Sequence, residues 1–236
     1  MPTPPESLNT ALRELIEVVR TADLAGVDLD PAIATVWDLV EELRPTVHDG
    51  VRMQAALRYD DVEAHMAGRM RDTGADDVDE LAREGHLSPN EFFPYSPVVG
   101  ALNPISPPVR MWRAPVEGPV GPTNEIHGEA TLGAAFNGPP DCVHGGVIAA
   151  VFDELLGSLC VANGLGGFTG TLSVRYRSPT PLDHALTLRA WHDRSEGRKV
   201  FARGTLHHGD QLCAEAEGIF VRSAMLPGGG VDPEQV

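Results

Sequence analysis

The stretch HGGVIAAVFDELLGSLCVA, residues 144–162, decides the fold class of this chain. It predicts a helix over 145–163 whose apolar residues lie on all sides instead of along one stripe. A helix of this kind is buried on every side, and an antiparallel sheet wrapped around it would bury it in that way. The stretch therefore predicts a domain built around one central helix.

Two acidic residues, Asp153 and Glu154, lie in the middle of this apolar helix. A buried carboxylate without partners is costly or takes up a proton, so folding alone does not require acids here. We interpret Asp153 as a carboxylate that lines a pocket and is poised as a general base or nucleophile. Small residues within a turn of it, such as Ala150 and Gly157, leave room for a ligand. Glu154 is interpreted as pointing through a gap to solvent or pairing with an arginine.

The helix begins at His144-Gly145-Gly146, and this beginning favours a close approach of backbone to ligand. Glycine has poor helix propensity but lets the backbone come near another group. Free N–H groups at a helix N-terminus can stabilise a developing oxyanion. The alternative interpretation is that the glycines turn a tight corner and that His144 caps the helix.

Strand-like runs with a period of two surround the helix in the sequence. Four follow it, and two precede it, the first of these two within a proline-rich segment: Phe168–Arg177, Ala185–Asp193, Lys199–His207 and Gln211–Arg222, then Val109–Pro115 and Glu125–Phe136. In the first run the alternation places Leu172 and Val174 on one face and Thr169 and Ser173 on the other. Short turn sequences link the later runs, which predicts an antiparallel meander.

The N-terminal part of the chain differs from the rest. A helix is predicted from about Ser7 to Ala25, and a second from a capping Asp30 to Arg44-Pro45. The pair is interpreted as a helical hairpin that packs on the main domain or on a sister chain, and one more helix is predicted over 59–71. The expected organisation is a helical, acidic extension at 1–95, the main domain at 96–224 and a flexible tail at 225–236.

Composition excludes some functions. The net charge of −16 argues against nucleic acid as a main partner and against an anionic membrane surface, because both need basic residues. Hydrophobic residues make up 42% of the chain, enough for a core. The three cysteines form no CxxC pair, and no signal peptide or apolar run of ~18 residues is apparent, so we expect a cytoplasmic protein without membrane insertion.

The span from Asn137 to Arg222 resembles the PaaI-type acyl-CoA thioesterases of the hotdog superfamily. The similar stretches are HGGVIAAVFDE, TLSVRYRSPTPL, EGRKVFARGTL and AEAEGIFV. The resemblance implies an α+β hotdog fold, in which an antiparallel sheet of five or six strands wraps a central helix, here with an N-terminal helical extension. It also implies acyl-CoA as substrate, no cofactor, no metal, and a homodimer or dimer of dimers with active sites between subunits.

The resemblance also suggests roles for individual residues. Asp153 takes the place of the catalytic acid, and Gly146, together with Gly145, takes the oxyanion position. Asn137 and His144 resemble positions that orient the thioester or water, and Thr169 resembles a hydroxyl that positions water or the acid. Candidates for binding the CoA phosphates are Arg175, Arg177, Arg198 and Lys199.

The leading hypothesis is therefore hydrolysis of acyl-CoA thioesters to free acid and CoA. Two alternatives stay open, a hotdog hydratase or dehydratase and a non-catalytic acyl-CoA-binding protein. Only Asn103-Pro104 faintly resembles a hydratase loop, and no Asp/His pair flanks it.

Assembly follows from helix geometry. Asp153 lies seven residues after Gly146, a rise of about 10 Å at ~1.5 Å per residue. One helix cannot readily bring both of its own groups to a single carbonyl carbon, whereas two antiparallel helices from two chains can. We therefore expect an obligate two-fold dimer, or a dimer of dimers, with composite sites.

Overall fold

A long helix wrapped by a six-stranded antiparallel sheet forms the centre of the molecule. The computed structural model describes residues 2–47, 54, 88–107, 109–118 and 121–222, so the predicted helix at 59–71 and the tail at 225–236 lie outside the described residues. The helices are α1 Pro4–Thr21, α2 Asp30–Leu43, α3 Pro89–Phe92 and α4 Gly145–Ala162, with 3-10 turns at Arg44–Thr46 and Ala134–Phe136. The strands are β1 Arg110–Gly118, β2 Gly121–Ala130, β3 Gly167–Tyr176, β4 Leu186–Glu196, β5 Lys199–His208 and β6 Gln211–Arg222.

The sheet has the order β1-β2-β4-β5-β6-β3, and each neighbouring pair is antiparallel. β4, β5 and β6 form the predicted meander, whereas β3 crosses over to pair with β6 at one edge. The expected α+β hotdog arrangement, with an N-terminal helical region before it, is confirmed. One edge of the sheet is β1 and the other is β3, and the position of β3 determines where the candidate site lies.

Helix α4 is the core of this domain. Its large apolar side chains are buried, with Phe152, Leu155, Leu156 and Leu159 fully so. At 18 residues it is long and apolar enough to cross a membrane, so the expectation that no stretch reaches this length is wrong. It is the one helix of this kind in the described ranges, and half of it is buried inside the molecule, which its position at the centre of the core explains.

The strand predicted at Glu125–Phe136 has different bounds. β2 starts earlier and stops at Ala130, which is opposite Leu186 at the end of their pairing. Residues 131–133 then leave the sheet, and Ala134–Phe136 form a 3-10 turn. Apolar and polar residues continue to alternate after Ala130, but β4 ends its pairing with β2 there.

Both predicted N-terminal helices form, with small shifts in their bounds. α1 begins earlier than Ser7 because Thr3 and Glu6 form a capping box, and it ends at Thr21. Asp30 is the first helical residue of α2 and does not cap it, since the preceding Leu29 holds that position without a side-chain hydrogen bond. No residue of either helix is fully buried.

Candidate active site

Asp153 lies on the one side of α4 that the sheet leaves open. Gly146, Ala150 and Asp153 are exposed, although the residues between them are mostly buried. These three positions are spaced by four and three residues, so they share one helix face. The helix that the sequence predicts as buried on every side thus has a narrow exposed stripe, and the acid lies in it.

Thr169 on β3 contacts this acid directly. Its Oγ1 donates a hydrogen bond of 2.8 Å to Asp153 Oδ1. The sequence alternation placed Thr169 on the face opposite Leu172 and Val174, which pack against the core, and this expectation is wrong. The β3–β6 register shifts between Thr169 and Thr171, so a bulge at Gly170 turns Thr169 to the helix side.

The first turn of α4 is closed by a side-chain cap. The Gly146 N–H donates to His144 Nδ1 at 3.0 Å, which is the capping role left open for His144. The Gly145 carbonyl accepts from the Tyr176 hydroxyl of β3 at 2.7 Å. Within the described part of the chain, the Gly145 N–H makes no hydrogen bond. It is therefore the amide of this turn that a ligand could use without displacing a protein group.

Asn137 holds the loop that leads into α4. Its Nδ2 donates to the carbonyls of Pro139 and Cys142, at 2.8 and 3.1 Å. The His144 N–H donates to the carbonyl of Phe136, at 2.9 Å. The structure thus brings Asn137 and His144 together at one loop, with the amide protons of Asn137 used to close that loop.

Glu154 points in a different direction from Asp153. Its carboxylate is largely buried and accepts a hydrogen bond of 2.9 Å from the Ser96 hydroxyl, whose residue is fully buried. The interpretation of Glu154 as solvent-facing or paired with arginine is wrong. Burial raises the pKa of Glu154 to about 7, the Ser96 hydrogen bond opposes the rise, and the neighbouring charge of Asp153 adds to it.

The four cations expected at CoA phosphates do not come together. Arg175 and Arg177 both pair with Glu215 near the end of β3, and these contacts lower the pKa of Glu215, that of Arg177 most. Arg198 lies in the exposed turn between β4 and β5, and the exposed Lys199 is the first residue of β5. Thr205 on β5 lies opposite Glu215 and is six residues from Lys199. The arginines at Glu215 and the cations near Lys199 are therefore separated by about 20 Å along the strand.

Residues 141–215 match the family model described as the thioesterase superfamily. The matched segment is thus similar to the thioesterase superfamily. It contains α4, β3, β4 and β5 and includes His144, Asp153 and Thr169. The PaaI-type resemblance inferred from the HGG and acid motif is confirmed.

Two curated relatives are similar to part of this chain. The chain is 30% identical over 105 residues to acyl-coenzyme A thioesterase THEM4 of Mus musculus, covering 44% of this chain and 42% of that protein. It is 34% identical over 92 residues to acyl-coenzyme A thioesterase THEM4 of Xenopus laevis, covering 38% and 41%. The chain thus spans about two fifths of the length of these relatives.

A solved structure has the same fold over a longer range. A crystal structure described as a thioesterase superfamily protein superposes with a TM-score of 0.70 and 24% identity, covering 94% of this chain and 92% of the other. Because 94% of this chain is covered, the likeness in fold extends into the N-terminal helical region.

Three residues around the candidate site were not predicted from the sequence. Ser96 holds Glu154, Tyr176 holds Gly145, and Glu17 of α1 accepts hydrogen bonds from the Ala134 and Ala135 amides. Tyr176 ends a strand in a matched motif, which is a usable signal. Ser96 and Glu17 are far from the site in sequence, and no local pattern marks them.

The raised pKa of Glu154 predicts a pH-dependent stability. With a pKa of about 7 in the folded chain and about 4.5 when unfolded, the unfolded chain loses this proton first as the pH rises. This contribution to stability is complete below pH 4.5 and is lost as the pH rises towards 7, a loss of up to about 3 kcal/mol. Glu154→Gln keeps an acceptor for Ser96 and cannot ionise, so the variant should gain stability relative to wild type between pH 5 and pH 8.

Urea unfolding of both proteins at several pH values measures this gain. Glu14→Gln is the matched control, because Glu14 is exposed on α1. A constant stability difference between wild type and Glu154→Gln across this range would show that Glu154 does not titrate in this way.

Proposed function

We propose that this chain hydrolyses acyl-CoA thioesters to the free acid and CoA, with Asp153 as general base or nucleophile. The observation that carries the proposal is an exposed carboxylate on an otherwise buried helix, held by the Thr169 hydroxyl at 2.8 Å. The family-model match to the thioesterase superfamily and the relatives named acyl-coenzyme A thioesterases support it.

The chemistry requires a base and an oxyanion site. In the base form of the reaction, Asp153 takes a proton from water, the oxygen of that water bonds to the thioester carbon, and the C–S bond breaks. The thiolate of CoA leaves and takes up the proton that Asp153 accepted, which restores the carboxylate. The carbonyl oxygen gains negative charge, which the Gly145 N–H at the start of α4 in a second copy of the chain can stabilise. Gly146 can add its N–H when the His144 ring turns away from it.

A second copy of the chain is proposed to complete each site. β3 is an edge strand with β6 as its neighbour, and Phe168 and Tyr176 on it remain about half exposed. This open edge lies beside the exposed stripe of α4, since Thr169 contacts Asp153 and Tyr176 contacts Gly145. A partner paired along β3 would extend the sheet and cover the stripe. A homodimer, or a dimer of dimers, is the assembly that fits these surfaces.

Arg198 and Lys199 are the better candidates for the CoA phosphates. Both are exposed, and neither forms an ion pair among the described residues. Arg175 and Arg177 share the carboxylate of Glu215, which neutralises part of their charge. A phosphate would have to compete with that carboxylate for their donors.

Thiol release from a panel of acyl-CoAs tests the proposed function. We expect wild type to release CoA from at least one class of acyl-CoA without added cofactor. Binding without release would favour a non-catalytic acyl-CoA-binding protein, and addition of water to an enoyl-CoA would favour a hydratase. The residue that faintly suggested a hydratase, Asn103, uses its side chain to hold the backbone of Tyr95 and Ile105, and this gives the hydratase no support.

Thr169→Val should lower kcat by about 10-fold and change KM little, because the hydroxyl orients Asp153 and does not contact the remote parts of the substrate. Thr169→Ser keeps the donor and should recover most of the activity. Thr171→Val is the matched control, since the bulge places Thr171 on the opposite face of β3. Equal losses in Thr169→Val and Thr171→Val would show that the hydrogen bond to Asp153 has no special role.

A further inference from the structure

Helix α1 contacts the main domain through hydrogen bonds of three charged side chains. Arg13, Glu17 and Arg20 are spaced by four and three residues, so they lie on one face of the helix. All three make hydrogen bonds to residues more than 80 positions away. Ile16 and Val19 of the same helix are exposed.

Glu17 caps a helical turn of another part of the chain. Its two carboxylate oxygens accept from the N–H groups of Ala134 and Ala135, at 3.1 and 3.2 Å. These residues begin the 3-10 turn Ala134–Phe136, and the preceding Gly133 has no side chain with which to cap it. A carboxylate at such a position satisfies free N–H donors and is stabilised by them. Glu17 thus supplies from α1 the cap that the turn lacks.

The turn capped by Glu17 holds two candidate site residues. The Phe136 carbonyl, at its end, accepts from the His144 N–H at 2.9 Å. The Asn137 N–H donates back to the Ala134 carbonyl at 3.3 Å. His144 in turn caps α4 at Gly146. The Glu17 carboxylate is therefore connected to the first turn of α4, the helix that carries Asp153, through the Ala134–Phe136 turn and then through His144.

Arg13, one turn earlier on α1, fixes the helix at a second point. Its Nη2 lies 3.3, 2.9 and 3.1 Å from the carbonyl oxygens of Gly100, Ala101 and Asn103. Ser96, whose hydroxyl holds Glu154, belongs to the same segment, and its carbonyl accepts from the Gly100 N–H at 3.1 Å. α1 is thus attached on two sides of α4, at the loop before it and at the segment that contacts its middle.

We propose that Glu17 is a positioning residue for the thioesterase reaction, and that α1 is a brace that holds the His144–Gly146 turn in its working geometry. This inference rests on the proposed function. Without the Glu17 cap, the Ala134–Phe136 turn loses its two anchored amides, and His144 and the N–H groups at the start of α4 lose a fixed support. Misplacement of an oxyanion site by a fraction of an ångström lowers turnover more than it weakens substrate binding.

The test compares Glu17→Ala with Glu14→Ala, which removes the same charge from an exposed position of the same helix. In Glu17→Ala we expect kcat to fall about 10-fold with KM within about twofold, and hydrogen exchange of the Ala134 and Ala135 amides to accelerate. Glu17→Gln retains one acceptor oxygen and should fall between wild type and Glu17→Ala. Glu14→Ala should behave as wild type in all three measurements.

Two outcomes overturn the proposal. The first is a Glu17→Ala variant that loses no more turnover than Glu14→Ala. The second is an unchanged exchange rate at Ala134 and Ala135. If wild type releases no thiol, the proposed function is wrong, independently of the role of Glu17. Hydrogen exchange of the His144 amide then tests the brace: faster exchange in Glu17→Ala would support it, and an unchanged rate would contradict it.

Discussion

Asp153→Asn is expected to lower turnover of the best acyl-CoA substrate at least ~100-fold, the usual scale for removing a general base. The amide keeps the size of the carboxylate and can still accept from Thr169, so the geometry of the contact changes little. It can neither take a proton from water nor attack a carbonyl carbon. Because Asp153 is exposed in the folded chain, we expect the variant to unfold at nearly the wild-type temperature.

Glu154→Gln is the matched control for this substitution. It makes the same chemical change at the adjacent residue, yet Glu154 faces Ser96 in the interior and not the exposed stripe. Its kcat should remain within a few-fold of wild type, because burial already favours the neutral form of this carboxyl group near pH 7. Steady-state kinetics on both variants decide the matter. Equal losses, or a larger loss in Glu154→Gln, would move the chemistry away from Asp153.

The fold could be predicted because its signals are local. Apolar residues on all sides of a helix and a period of two in the strands can each be recognised within a short stretch of sequence, so the central helix and the strands could be predicted. The prediction became wrong for the orientation of Thr169, where the chain departs from strict alternation. A bulge adds one residue at Gly170, and a single added residue reverses the face of every side chain before it.

The site was predictable where a motif lies on one element, and less so where distant segments meet. His144, Asp153 and Thr169 fall within one short span, and the structure places Asp153 and Thr169 in contact. Glu17 lies 117 positions from Ala134, and Ser96 lies 58 from Glu154. Periodicity reports which face a residue occupies but not which distant segment covers that face. The polar partners of the site that come from distant segments are therefore visible only in the three-dimensional structure.

Refolding two inactive variants together is expected to recover activity, because each site is expected to need groups from two chains. Asp153→Asn lacks the acid, and Gly146→Pro lacks an N–H at the start of α4 together with its His144 contact. Proline is tolerated in the first turn of a helix, so the second variant should keep the rest of α4. Each variant refolded alone should retain little activity, and this is the control for the mixture.

When equal amounts of the two variants are refolded together, half of randomly paired dimers contain one copy of each. In such a heterodimer the intact helix start of one chain meets the intact Asp153 of the other, so one site of the two works. Recovered activity should approach about a quarter of the wild-type value, because half of the dimers are heterodimers and half of the sites in each heterodimer work. The rise of about 10 Å between Gly146 and Asp153 on one helix is the reason to expect this result. Confirmed heterodimers with no recovered activity would place both groups of each site in a single chain, and the helix geometry would then require a substrate that bridges them.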